Sequence, residues 1–344
     1  MGIVGRFVRK WIIKRLLFRN PIVFAVAWVV SRLHRGRRLA KAVPFGTYYG
    51  GERIGADFLD RRDLVDRTAP TPDGVVADLD RFARETGPDT GSKSGTDPSE
   101  PSDPFDPDVV HPAIRACCER TATQHAVRRV RWRRGLRLMG RLVARIAGGL
   151  GQFSMPGRDR GFHPVAERFV AIGRPDEDPR EDVRGWVRTD DGGEVVSLGL
   201  YGTHVQSDEN HSRDREDDET ASEQFLNAAF PLPGATLSVV ARPRHVPDRS
   251  SGLLGRVGGW IGRRMAVGGS GEGASKTGLE WTTAAPGHPG VYLRLPAIAL
   301  KLPLSVRVRL TSTPSRDGDE VSVATEVRLY GLRLLRVDHR VASA

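Results

Sequence analysis

Alternation of apolar and polar residues with a period of two constrains the fold of this 344-residue chain more than any other feature. Beyond residue 160, short alternating segments are separated by turn-forming residues, which is typical of half-buried strands. Near the end, Val306, Val308 and Leu310 alternate with Arg307 and Arg309, as expected of antiparallel strands with one buried face. Ten strands are predicted, over residues 167–173, 183–189, 195–205, 224–230, 236–242, 279–283, 290–295, 304–313, 321–330 and 332–341.

A basic segment before these strands has helical periodicity. No acidic residue occurs between Arg120 and Arg158. On a helical wheel one arc carries the arginines Arg133, Arg134, Arg137, Arg141 and Arg145. The opposite arc carries the apolar residues Trp132, Leu136, Leu138, Met139, Leu142, Val143 and Ile146. We therefore predict an amphipathic helix that covers the sheet with its apolar face and exposes its arginines; contact of these arginines with a membrane or a nucleic acid is the alternative.

Together these patterns predict an α+β fold, in which a curved antiparallel sheet grips the helix and a basic helical leader precedes it. Segment composition divides the chain further. Pro, Gly, Ser and Asp dominate one stretch so strongly that we predict a disordered linker there. The predicted units are a leader over 1–43, an acidic helical or irregular segment over 44–85, the linker over 86–108, and an α+β domain over 109–344 with insertions at 207–223 and 250–277.

Positive charge is concentrated in the leader. The first 41 residues hold eleven of the 53 Lys and Arg residues, and no acid precedes Glu52, so the rest of the chain is balanced. Its longest charge-free apolar run, residues 22–30, is nine residues long, whereas a membrane-spanning helix needs about 20. We predict instead that the leader contacts an anionic membrane surface and that the protein is cytoplasmic, at the inner face of the cell membrane; a leader helix packed on the body of the protein with its bases in solvent is the alternative. The predicted contact residues are Arg6, Arg9, Lys10, Trp11, Lys14, Arg15, Arg19 and Trp28.

Motifs that carry catalysis are not found in the sequence. The stretch GEGASKT at 271–277 lacks the glycine that a phosphate-binding loop requires before its lysine, and no HExxH or GxSxG pattern occurs. We assign no catalytic, cofactor-binding or metal-ligating residue, and we favour binding of an apolar or lipid-like small molecule over catalysis. An enzyme acting in the concavity of the sheet, or a nucleic-acid binder using the arginine-rich helix, are the alternatives. The predicted pocket-lining residues are Trp186, Tyr201, Tyr292 and His339.

Several phrases resemble an uncharacterised prokaryotic family of hypothetical proteins. They are YYGGERIGADF, HPAIRACCERTA, LYGTHV, FPLPGATLSVVARP and VRLYGLRLLRVDHRV, and the loose match spans residues 46–341. The resemblance implies no activity, cofactor or site. The expected architecture is also similar to that of helix-grip proteins that shelter apolar ligands, which is a likeness of fold alone.

Overall fold

Strands dominate the described part of the chain. The computed structural model describes residues 36–37, 40–41, 43–48, 51, 53–83, 105–121, 124–133, 135–154, 161–173, 178–207, 222–246, 277–285, 287–315 and 318–343. The strands are β1 Gln124–Trp132, β2 His163–Ala171, β3 Glu181–Thr189, β4 Val195–Ser207, β5 Ser222–Leu232, β6 Ala235–Val246, β7 Gly278–Thr282, β8 Gly290–Arg294, β9 Ala299–Leu302, β10 Leu304–Ser315, β11 Gly318–Leu329 and β12 Leu332–Ser343. Helical elements are α1 Phe58–Arg61, α2 Pro112–Glu119 and α3 Arg137–Leu150, with 3-10 helices at Leu79–Phe82 and Pro107–Val109.

Ten of these strands close into an antiparallel barrel. Their order is β1-β2-β3-β4-β5-β6-β7-β10-β11-β12, and β12 pairs with β1 to complete the ring. The hairpin of β8 and β9 lies outside the ring, because β6 pairs with β8 along its first half and with β7 along its second. Directly paired residues share a face, so the register places Ala126, Val341 and Val321 side by side on the inner wall.

The predicted α+β helix-grip fold is therefore wrong, because the sheet closes on itself instead of curving around a helix. The prediction of an antiparallel sheet is confirmed. Strand β1 closes the ring, and the sequence pattern had placed its last residue, Trp132, at the start of the helix. In the structure the helix begins only at Arg137, after a turn at Gly135 with φ of 87°.

One end of the barrel is filled by a plug of helical elements. Residues of α2 and of both 3-10 helices pack on the inward side chains at this end. The plug contributes the buried residues Leu79, Phe82, Phe105, Val110, Ile114, Cys117 and Cys118. The barrel contributes Ala126, Leu226, Ala241, Leu279, Trp281, Leu310, Val321 and Val341. Phe105 and Pro107, which fall within the predicted linker, are thus part of the core.

Helix α3 crosses the opposite end of the barrel. It follows β1, where a Cβ atom on Gly140 would lie 2.6 Å from the ring of Trp132. It ends at Gly151, whose left-handed φ of 68° is typical of a helix C-terminus. The next residue, Gln152, is fully buried between β4 and β5: its amide donates to the carbonyls of Leu198 and Pro231, at 2.7 and 3.1 Å.

The predicted orientation of this helix is also wrong. Three of its large aliphatic side chains face solvent, with Leu138, Leu142 and Ile146 exposed by 76, 53 and 54%, while Val143 and Leu150 are half-buried. The buried side is made of small residues, Gly140 and Ala147. Glycine at position 140 lets the helix lie directly on the ring of Trp132, and Leu138, Leu142 and Ile146 are on the side turned away from it.

A buried ion pair fastens the segment 43–48 to the outer face of the barrel. Arg180, with a fully buried side chain, makes two hydrogen bonds to the carboxylate of Asp178, at 2.9 and 2.8 Å. Its remaining donors reach the carbonyls of Leu200 and Asn227, at 2.9 and 2.8 Å. The hydroxyl of Tyr48 donates a short hydrogen bond to Asp178. Every charge in this network is therefore paired, which is the condition under which burying charge is tolerated.

His204 lies beside this network and predicts a pH dependence of folding. Its pKa is lowered to about 4 by burial, by Arg180 and by His288. Unfolded chains take up this proton near pH 6.5, so the stability contributed by neutral His204 is complete above pH 6.5 and falls as pH drops toward 4. We expect His204→Leu to remove about 2 kcal/mol of the loss in unfolding free energy between pH 7 and pH 5, measured by urea denaturation. An unchanged loss in the variant would contradict this assignment.

No helix among the described residues has both the length and the apolar character needed to cross a bilayer.

Candidate functional site

The barrel interior is filled by side chains at the plug core and retains open space elsewhere. The inward-facing Leu310 and Val321, which belong to the plug core, are 4 and 2% exposed. Other inward-facing residues, among them Val239, Val308 and Val323, retain accessible surface although they point into a closed ring. Accessible surface on side chains enclosed by a barrel indicates open space between them.

Polar and aromatic side chains cluster in this open part. The guanidinium of Arg188 lies over the ring of Trp186, 4.1 Å from its centroid, and donates from Nε to Ser197 Oγ at 2.8 Å. Its Nη1 is 3.4 Å from Nε2 of His339. His339 is in turn the cross-strand partner of Arg128, which is 9% exposed and donates to the carbonyl of Ser154 at 3.0 Å.

Burial controls the protonation of this cluster. It lowers the pKa of His339 well below its usual value, and the neighbouring Arg188 and Arg128 lower it further. Burial raises the pKa of Glu167, the cross-strand partner of Arg188, to about 7, against the opposing effect of Arg188. The pKa of Arg128 falls to about 10 through burial and the nearby Arg188. At neutral pH the cluster therefore holds two cations, a neutral imidazole and one partly ionised carboxyl.

Three of the four predicted pocket-lining residues lie together in this interior. Trp186 and Tyr201 contact each other with ring centroids 5.5 Å apart, and His339 joins them through Arg188. Tyr292 lies elsewhere: it is fully buried on the outer side of the barrel, with its ring 5.5 Å from that of Phe45. The sequence interpretation missed Arg128, Arg188 and Glu167. The alternation along each strand could have identified them, because residues two positions apart point to the same face. In β3, Arg188 is two residues from Trp186 and therefore shares its face.

A second feature is an apolar surface at the α3 end of the barrel. Six large apolar side chains stand out as exposed in the described part of the chain, and five of them lie here. Three come from α3. The other two are Tyr330 and Leu332, 54 and 61% exposed at the turn between β11 and β12, where positive φ at Tyr330 and Gly331 forms a tight hairpin.

Arginines are interleaved with this surface. Arg141 and Arg145 are also exposed, because the arginine arc adjoins the apolar arc beside Leu138 and the border between the two arcs faces solvent. Neither has an ion pair or hydrogen bond with any residue in the described ranges. We define these two arginines with Leu138, Leu142, Ile146, Tyr330 and Leu332 as the end surface. The predicted leader contacts, Arg6, Arg9, Lys10, Trp11, Lys14, Arg15, Arg19 and Trp28, lie outside the described residues.

Comparison with known proteins gives one bacterial relative. No family model and no solved structure matches the chain. Over 297 residues it is 20% identical to "Uncharacterized membrane protein YndJ" of Bacillus subtilis (strain 168), covering 86% of this chain and 43% of that protein. The chain thus spans less than half the length of this relative. An uncharacterised bacterial relative at low identity agrees with the loose resemblance to an uncharacterised prokaryotic family.

Proposed function

We propose that this protein is a peripheral membrane protein that docks on an anionic lipid surface through the end surface. The observation that carries the proposal is the gathering of five exposed large apolar side chains at one end of the barrel, beside two arginines without acidic partners in the described ranges. Soluble proteins rarely expose such clustered apolar groups unless they bind something there.

The residue types favour lipid over other partners. Aliphatic and aromatic side chains can enter the boundary between head groups and acyl chains, while the exposed arginines of the adjoining helix arc meet anionic head groups. Each base near an anionic leaflet contributes about 1 kcal/mol, and each fully inserted aliphatic side chain about 1.5–3 kcal/mol. A nucleic acid would use the arginines but would leave Leu138, Leu142 and Ile146 in water, so we disfavour that alternative.

Two further observations support the proposal. The sequence begins with an acid-free segment of bases, aliphatics and tryptophans, a composition suited to an anionic leaflet. The bacterial relative is called a membrane protein. Within this proposal the protein works at the cytoplasmic face of the cell membrane, and the open interior beneath α3 receives an apolar or lipid-like ligand.

A flotation experiment tests the role of the end surface. The full chain carrying Leu138→Ser, Leu142→Ser and Ile146→Ser is expected to float with anionic vesicles at least about tenfold less than the unmodified chain, because three apolar side chains no longer insert. The matched control is Val205→Ser, since Val205 is 51% exposed but lies on β4 away from the end surface. Equal flotation of the triple variant and the unmodified chain would refute docking through α3.

A further inference from the structure

Two cations in the barrel interior, the buried Arg128 and the half-buried Arg188, have no anionic counterpart among the described residues. Arg128 and Arg188 both face inward, and neither forms an ion pair with a carboxylate of the described residues. Elsewhere the fold pairs its buried arginine fully, as Arg180 does with Asp178. Burying a guanidinium without an anion costs free energy. Arg128 and Arg188 are therefore suited to receive an anionic ligand.

The titratable groups facing the pair do not replace that anion. Glu167 is within electrostatic range of Arg188 but makes no hydrogen bond or ion pair with it, and its raised pKa leaves it partly protonated. Asp190 acts on Arg128 only at longer range, because its carboxylate caps the turn before β4 by accepting from Gly192 and Glu194. His339 and Tyr201 are held neutral by burial.

The walls around this charge are apolar. Trp186 lies under one guanidinium, and Phe230, Val239, Val308 and Val323 point into the same open space. The plug closes one end of this space, and α3 crosses the other with the small residues Gly140 and Ala147 on its buried side. The interior thus combines a cationic point with an extended apolar surface, which matches a molecule that has an anionic head and an apolar chain.

We propose that the barrel binds one anionic amphiphile, a long-chain carboxylate or phosphate monoester, whose head group lies between Arg128 and Arg188 and whose chain lies along the apolar wall. Guanidinium groups suit both heads because they present paired donors to two oxygens. This site is separate from the end surface, and the barrel binds the amphiphile whether or not the protein docks on lipid.

The test uses the full chain in solution, without vesicles, and isothermal titration calorimetry with dodecanoate, dodecyl phosphate, dodecanol and inorganic phosphate below any micelle concentration. We expect one equivalent of dodecanoate or dodecyl phosphate to bind at least about tenfold more tightly than dodecanol or inorganic phosphate, because hydrogen bonds to charged groups are worth about 1.5–3 kcal/mol. The tighter of the two anions identifies the head group.

Variants locate the site. Arg128→Gln and Arg188→Gln are each expected to weaken the preferred anion at least about tenfold and to change dodecanol binding by less than about twofold. Arg131→Gln is the matched control, because Arg131 lies on the same strand but points outward to Asp338. Three results would each overturn the proposal. They are equal binding of dodecanol and both anions, inorganic phosphate binding as tightly as dodecyl phosphate, and unchanged affinity in folded Arg128→Gln and Arg188→Gln variants. If the variants do not fold, the comparison of the four probes on the unmodified chain still decides it.

Discussion

Replacing Arg180 by Met is expected to lower the free energy of unfolding by about 3–5 kcal/mol, because it leaves the buried carboxylate of Asp178 without its counter-ion. The substitution also removes the donors that satisfy the carbonyls of Leu200 and Asn227. Tyr48 would keep a single hydrogen bond to Asp178, which is insufficient to stabilise a buried anion. Urea denaturation of the full chain at neutral pH measures the loss.

An exposed ion pair is the matched control for this prediction. Arg53 and Glu194 form a salt bridge of 2.6 Å with side chains 55 and 58% exposed, so Arg53→Met is expected to cost less than about 1 kcal/mol. The double variant Arg180→Met with Asp178→Leu should recover part of the loss, since removing both charges leaves no unpaired ion. A cost for Arg180→Met no larger than that for Arg53→Met would contradict the assigned role of the network.

Reversing the charges of Arg141 and Arg145 with Glu is expected to lower partition onto anionic vesicles by about a thousandfold. Each base contributes about 1 kcal/mol of attraction, and an acid at the same place adds repulsion of similar size, which totals about 4 kcal/mol for the two sites. Vesicle sedimentation at about 0.1 M salt measures the partition coefficient.

The control for this charge reversal changes the net charge equally at the other end of the barrel. Arg120 follows α2 in the plug, and Arg67 follows Asp66, which pairs with the end of β2. Arg67→Glu with Arg120→Glu is expected to weaken partition far less, because charges more than about 10 Å from the lipid are screened at 0.1 M salt. Equal losses in both double variants would show that net charge alone governs binding and would contradict docking through α3.

Local patterning predicted ten of the twelve described strands, all except β1 and β9, but not the closure of the barrel. The alternation of Val306, Val308 and Leu310 with arginines identifies β10 and its buried face. Closure depends on β1 pairing with β12 across some 200 residues, and no local pattern encodes that partnership. In addition, β1 carries Arg128 at an inward position, which interrupts the alternation of apolar and polar residues along the strand. The basic residues of β1 were therefore grouped with the basic segment that contains the helix.

The site was predicted only in part, for a related reason. In β3, Val187 is buried on the outer side of the barrel against Phe58, while Trp186 and Arg188 face inward. When both faces of a strand are covered, hydrophobicity does not indicate which face is the interior. The helix raises the same difficulty: the amphipathic pattern of α3 was read correctly, but the close approach allowed by Gly140 determines which side is buried.

Flotation of the intact chain with vesicles of contrasting charge tests membrane docking most directly. We predict that the protein floats with vesicles containing anionic phospholipid, remains in the dense fraction with purely zwitterionic vesicles, and loses part of its binding as salt is raised from 0.05 to about 0.5 M. Equal recovery with both kinds of vesicle, or no recovery with the anionic ones, would contradict the proposal that the end surface docks on anionic lipid.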